Sequence, residues 1–273
     1  MPVFAQTDAY EQVFQLAKQL EESGATNEAF VEYKRYIFLQ DYSEGIHQKE
    51  AYSALSRMYK NAEKFTKSLE YIQMAQNYDS SEALRFEEIE ILRQFSCQRK
   101  FYLENNLSLF NYRNQPEFSE ELKQTAWKAI LENEIIFENY DLFEENFSKI
   151  CTEYPEMFTD EQITIINNSL TQIRKFKPKN PTVALCLSFI PGLGQLYAGN
   201  PKDALNAFLL DGSLIALSTY TIISGNYIDF TLFELDPTLR FYRGNLYNAQ
   251  KEVYEYNDEK LSKLKSPILE ILK

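Results

Sequence analysis

Apolar positions return every three or four residues along the first part of the chain. Val13, Leu16, Ala17 and Leu20 fall at i, i+3, i+4 and i+7, one face of an α-helix. Gly24 ends that helix, and Asn27 can cap the next over Glu28–Leu39, with Ala29, Tyr33, Tyr36 and Ile37 inward. The pattern then repeats. Ala51, Leu55, Met58 and Tyr59 predict a third helix, and a short turn from Asn61 to Lys64 leads to Phe65. Leu69, Ile72 and Ala75 line a fourth. Weaker periodicity predicts a third hairpin over 83–95 and 102–112, and a fourth over 122–137 and 142–154, closed by Pro155. Residues 160–176 read as a capping helix.

Beyond Phe176 the pattern changes. Arg174, Lys175, Lys177 and Lys179 form a tight basic cluster directly before Pro181. Such a cluster suits either a lipid headgroup zone or a solvated linker. Val183 to Tyr197 then carries no charge, and Pro191-Gly192-Leu193-Gly194 breaks its middle. A spanning helix needs about 20 apolar residues. This stretch therefore reads as a kinked span, a re-entrant hairpin or a buried soluble element. Ala204 to Ser224 does have the length, with nine Leu, Ile or Phe residues. Each favours insertion by about 0.3 to 0.6 kcal/mol, while Asp211 near the middle costs roughly 2.5 to 3.5. The balance is close to neutral, so the segment inserts only beside a helix that satisfies Asp211. The amphipathic segment Tyr227 to Ala249 is the candidate, with Arg240 or Arg243 as the ion-pair partner. A charged tail helix, 251–273, follows.

Charge sharpens this division. Residues 1–170 hold 16 Lys and Arg against 30 Asp and Glu, a net of −14; residues 171–273 hold 12 against 10, a net of +2. An acidic arm lacks the basic footprint of nucleic-acid binding. Gly and Pro are sparse, 8 and 9 in 273 residues, which favours helices over turn-rich β structure. Half of the glycines lie between Gly192 and Gly212. Cys97 and Cys151 lack metal spacing and read as inert thiols or, outside the cytoplasm, a pair; Cys186 reads as a small buried hydrophobe. Val3-Phe4-Ala5 before Gln6 looks like the end of a signal-peptide cleavage site, so residues 1–7 are either its remnant or an ordinary N-terminus.

Two resemblances follow. The first two hairpins resemble the tetratricopeptide repeat, a helical hairpin of about 34 residues. Leu16, Ala17, Leu20, Gly24, Ala29, Tyr33 and Tyr36 carry the likeness in the first, and Leu55, Ser56, Tyr59, Phe65, Ser68, Ile72 and Ala75 in the second. Stacked hairpins present a groove, where Tyr33, Tyr52 and Tyr59 are either aromatic contacts for a partner or inter-repeat packing. Pro191-Gly192-Leu193-Gly194-Gln195-Leu196-Tyr197-Ala198-Gly199 resembles the P-G-x-G-Q-x-Y-x-G signature of small bacterial membrane domains related to the two-transmembrane-helix family. Ser188 matches the serine before that motif, and Tyr242, Gly244, Asn245, Tyr247 and Ala249 echo its later element. This resemblance implies an all-α protein: a tetratricopeptide-like solenoid over 8–176, then a membrane domain of two to three apolar helices over 177–250. It implies no reaction.

Searches for chemistry return little. His47 is the single histidine, which excludes multi-histidine metal sites and weighs against a Ser-His-Asp triad. A dinucleotide loop would need glycine where Tyr197 stands, and no GK[ST] marks a P-loop. Carboxylate pairs such as Glu87 and Glu90 are the ordinary product of charged helix faces. The expectation is a non-enzymatic protein without a cofactor or small-molecule substrate, anchored in the bacterial inner membrane. Its arm binds a protein partner, on the extracytoplasmic side if the signal remnant is real; the basic cluster argues the other way. The rival readings are a transporter or channel component with Asp211 and Gln195 in a polar path, and a soluble α protein that buries its apolar hairpin.

Overall fold

The computed structural model describes residues 3–40, 46–79, 81–96 and 102–273. Every regular element among them is helical, so the protein is all-α. The chain divides into two compact units, residues 1–159 with 271–273, and residues 160–270.

The first unit holds α1 (Val3–Glu22), α2 (Thr26–Gln40), α3 (Gln48–Asn61), α4 (Phe65–Gln76), α5 (Glu82–Ser96), α6 (Tyr102–Asn114), α7 (Glu120–Ile136) and α8 (Tyr140–Glu153). Each helix packs on its sequence neighbour, and α5 also packs on α7. Small residues set the closest approaches, with Ala17 and Ala29 wholly buried in the first core. In the second hairpin, Ser56 Oγ donates to the Ser68 carbonyl and Ser68 Oγ to the Ser56 carbonyl, both at 2.8 Å. These exchanged bonds satisfy both hydroxyls in a site that excludes water.

The inward face of α1 keeps Ala17, with Val13 and Leu20 packed on the same core, but Leu16 is 43% exposed and Phe14 is buried in its place. Phe14 takes that place because its ring fills the gap between Tyr33 and Tyr36 and stacks on His47 at 4.2 Å. Cys97, and with it any pairing to Cys151, lies outside the described residues, as do Met1 and Pro2 of the expected signal remnant.

The second unit contains α9 (Asp160–Lys175), α10 (Pro181–Leu187), α11 (Leu193–Ala198) and α12 (Pro201–Ile223). A short α13 (Tyr227–Asp229) and a π-turn (Phe230–Glu234) lead into α14 (Leu235–Leu272). The helix expected to cap the arm, α9, thus groups with this unit. Residue 250 is no boundary, since α14 runs through it. An Asn-Pro pair starts both α10 and α12. Asn180 Oδ1 accepts from the Thr182 N–H at 2.8 Å, and Asn200 Oδ1 from the Asp203 N–H at 3.2 Å. The following proline needs no N–H partner in the first turn. Pro237 accounts for the π-turn: its ring excludes a normal bond to the carbonyl four residues back, and the helix widens there.

Candidate functional site: a glycine-built hairpin locked to the long helix

The uncharged stretch folds as two short helices, α10 and α11, packed on each other across a turn. Both are far shorter than a span, so the stretch is not one continuous spanning helix. Gly192 sits at φ +87° and Gly199 at +104°, a region that glycine enters at no steric cost. Space demands glycine as well. A Cβ on Gly192 would lie 2.3 Å from the Ala204 carbonyl oxygen. One on Gly194 would lie 1.8 Å from Ser188 Oγ, 2.6 Å from the Ala184 oxygen and 2.7 Å from Ala249 Cβ. Gly194 is thus the point where α10, α11 and α14 meet.

Polar side chains complete the lock. Gln195 Nε2 donates to Asn245 Oδ1 at 2.7 Å and to the Asn245 carbonyl at 3.2 Å. Asn245 Nδ2 donates to the Ser188 carbonyl at 3.1 Å, and Ser188 Oγ to the Ala184 carbonyl at 2.8 Å. All three residues are buried. Both ends of the relay are backbone carbonyls, which only accept, so each amide has a single orientation. Tyr197 takes the Asn180 N–H at 3.1 Å, and Tyr242 donates to the Phe189 carbonyl at 3.3 Å. Ala184, Ala198, Ala249 and Val253 form the small apolar core beneath.

A second clamp was not anticipated from the sequence. Asn257 Oδ1 accepts from the Lys179 N–H and its Nδ2 donates to the Lys179 carbonyl, both at 2.9 Å. The Lys179 ammonium donates to the Ala198 carbonyl at 3.0 Å and lies 3.7 Å from the Tyr256 ring centre. The basic cluster therefore contributes a fixed structural cation. The spacing of Asn245, Ala249, Val253 and Tyr256 along one stripe of α14 was the available signal.

Other motif residues play lesser parts. Pro191 is half-buried in the turn. Gly244 has open space around it, and Tyr247 stands exposed. Cys186 is exposed rather than buried, because α10 turns it outward with Val183 and Leu187. Asp211 is 4% exposed, yet no ion pair joins it to Arg240 or Arg243. Arg240 only lines the same cavity, while Arg243 stands on an exposed face. That cavity, of 550 Å³, lies among α11, α12 and α14. The α12–α14 segment is instead joined lower down, by Ser218 with Thr238 at 3.0 Å and Thr221 Oγ1 donating to Glu234 at 2.8 Å.

Around this polar interior the outside is apolar. Phe189 and Ile190 of the turn, Leu205, Phe208 and Leu209 of α12, and Leu232 and Phe233 of the π-turn are all exposed. Among the described residues α12 is the one helix long and apolar enough to cross a membrane, by length and composition, and only 17% of its most apolar stretch is buried.

The arm tyrosines divide. Tyr33 is buried, with its hydroxyl donating to Glu21 at 2.6 Å, so its ring offers a partner no surface. Tyr52 and Tyr59 are half-buried in a ladder of rings: Phe30 against Tyr59, Tyr59 stacked on Tyr71, Tyr71 beside Tyr52, and Tyr52 stacked on Tyr78. Lys34 lies 4.8 Å from the Phe30 ring centre and 5.6 Å from that of Tyr59. Among the described residues no group of three or more His, Cys, Asp or Glu is placed to hold a metal ion. No family model, curated protein or solved structure matches this chain.

Proposed function

We propose that the protein is a membrane-anchored helical-repeat adaptor: the first unit binds a protein partner and the second fixes it to a bilayer. The inside-out polarity of the second unit carries the reading. Its helices turn Leu205, Phe208, Leu209, Phe189 and Phe233 outward while Gln195, Asn245 and Asp211 are buried within. Water would oppose both choices, whereas hydrocarbon favours both. The 23 residues of α12 span about 34 Å at 1.5 Å each, close to the roughly 30 Å hydrocarbon core. An exposed apolar surface of this kind marks an interaction site in any soluble protein.

For the arm, the order of helix packing and the small-residue crossings at Ala29 and Ser68 support a tetratricopeptide-like solenoid. Solenoids of stacked hairpins serve as extended binding surfaces. The ladder around Tyr52 and Tyr59, with Lys34 beside it, is the aromatic face available to a peptide.

Sedimentation tests the anchor. The expected outcome is that the full chain pellets with membranes after alkaline extraction and is released only by detergent. Full recovery in the supernatant without detergent would refute it. Protease treatment of intact spheroplasts then assigns the side: digestion puts the arm outside, protection inside.

A further inference from the structure

Two buried oxygens at the cavity beside the lock, Gln195 Oε1 and Glu252 Oε2, accept no hydrogen bond. Gln195 Nε2 is committed to two oxygens of Asn245, so Gln195 Oε1 is the atom left over; it is buried and accepts no hydrogen bond. The amide cannot flip to relieve this, because Nε2 would then abandon the Asn245 carbonyl, an obligate acceptor. Asp211 lines the same cavity from α12, almost fully buried and without an ion pair. Glu252 Oε2 is a further buried oxygen there with no partner. An uncompensated carboxylate in such a setting is expensive, and the cost falls only if positive charge joins it.

The cavity also has a polarity along its length. Asp203, Glu252 and Glu255 stand at the end beside the start of α12, where Lys251 also lines the cavity. Lys251 is itself paired to Glu255. Asp211 lies eight residues further along α12, about 12 Å deeper. Arg240, largely exposed, closes the far end. An acidic mouth above a deep carboxylate and a bare amide oxygen concentrates cations and repels anions. The orphan Gln195 oxygen separates this from a mere patch of acids, since only a donor or a cation satisfies it.

We infer that the groove among α11, α12 and α14 admits a small monovalent cation, a proton or an alkali-metal ion, to a site formed by Asp211 and Gln195. This goes beyond the adaptor reading and rests only on its membrane placement, which sedimentation tests separately.

The test uses the full-length protein in lipid nanodiscs and dicyclohexylcarbodiimide, an apolar reagent that modifies a protonated carboxyl group. Labelling of Asp211 is followed by peptide mass spectrometry in sodium, potassium and choline chloride at equal ionic strength, across pH. Asp211→Asn, checked to be monodisperse, confirms the labelled position. A bound alkali ion slows labelling relative to choline, by about elevenfold at a concentration ten times its dissociation constant. A bound proton instead leaves Asp211 labelled at about pH 7, where the exposed carboxyl groups of the same chain are ionised and unlabelled, identically in the three salts. Either pattern supports the site and names its occupant. Labelling that is the same in the three salts and falls away together with that of the exposed carboxyl groups would overturn it. So would labelling that is absent in the natural chain and appears only in Arg240→Ala, since Arg240 would then be the counter-charge.

Discussion

Gln195 Nε2 donates to two oxygens of one residue, Asn245, fifty positions along the chain. One is a side-chain oxygen and the other a backbone carbonyl, so α11 is tied to the frame of α14 and to its surface together. Removing either partner leaves the other buried and unsatisfied, at about 1–3 kcal/mol. Gln195→Ala and Asn245→Ala should each lower the unfolding midpoint in detergent. Their double mutant should cost less than the sum, with a coupling of about 0.5–3 kcal/mol. Strict additivity would show that the two amides do not depend on each other.

Gly194 and Gly244 both lie in the stretches that the sequence singles out, yet their surroundings differ. Gly194→Ala drives a methyl group into the Ala184 carbonyl and Ala249. Overpacking of this sort costs about 1–3 kcal/mol, and the thermal midpoint should fall accordingly. Gly244→Ala meets nothing within 4 Å inside α14. It should hold or gain stability, by up to about 1 kcal/mol, because alanine has the better helix propensity. Equal losses at both positions would contradict this packing.

Asn257→Ala removes both bonds to the Lys179 backbone. The linker from Phe176 to Asn180 should then open to protease, with faster tryptic cleavage at Lys179 while the rest of the digestion pattern holds. An unchanged rate would mean that the Lys179 ammonium, through Ala198 and Tyr256, suffices alone.

In the arm, Glu134 is wholly buried, and burial pushes its carboxyl up to about 7, although Asn146 donates to it at 2.5 Å. A raised carboxyl favours the folded state when protonated. Its contribution is therefore complete below the unfolded value near 4.3 and is lost as pH climbs through about 7. Glu134→Gln should stabilise the arm on the order of 3 kcal/mol at about pH 8, and hardly at about pH 4. Thermal melts of the two chains across that range check the sign. A Glu134→Gln gain that is constant with pH would refute the assignment.

Much of this was legible before the structure. Helical periodicity placed the hairpins because each helix buries one stripe, and the uncharged glycine-rich stretch declared itself by composition. Gln195, Asn245 and Ser188 were marked by motif, but their mutual bonds were not, since pairing across fifty residues leaves no local trace. One residue of the inward face of α1 was misassigned, because Leu16 and Phe14 both suit a helix face and only the aromatic gap beside Tyr33 and Tyr36 selects between them. The ion pair expected for Asp211 failed for a similar reason. Helical spacing says that Arg240 is near, but not that its side chain stays outside.

The lock has a consequence in time. Residues 181–198 leave the ribosome as two short helices whose Gln195 amide and Ser188 carbonyl wait for Asn245 to follow. At roughly 5–20 residues per second that delay is about 3–10 seconds. Through that interval the hairpin has α12 to pack on, where Gly192 meets Ala204, but no lock. The helix that carries Asn245 closes the hairpin.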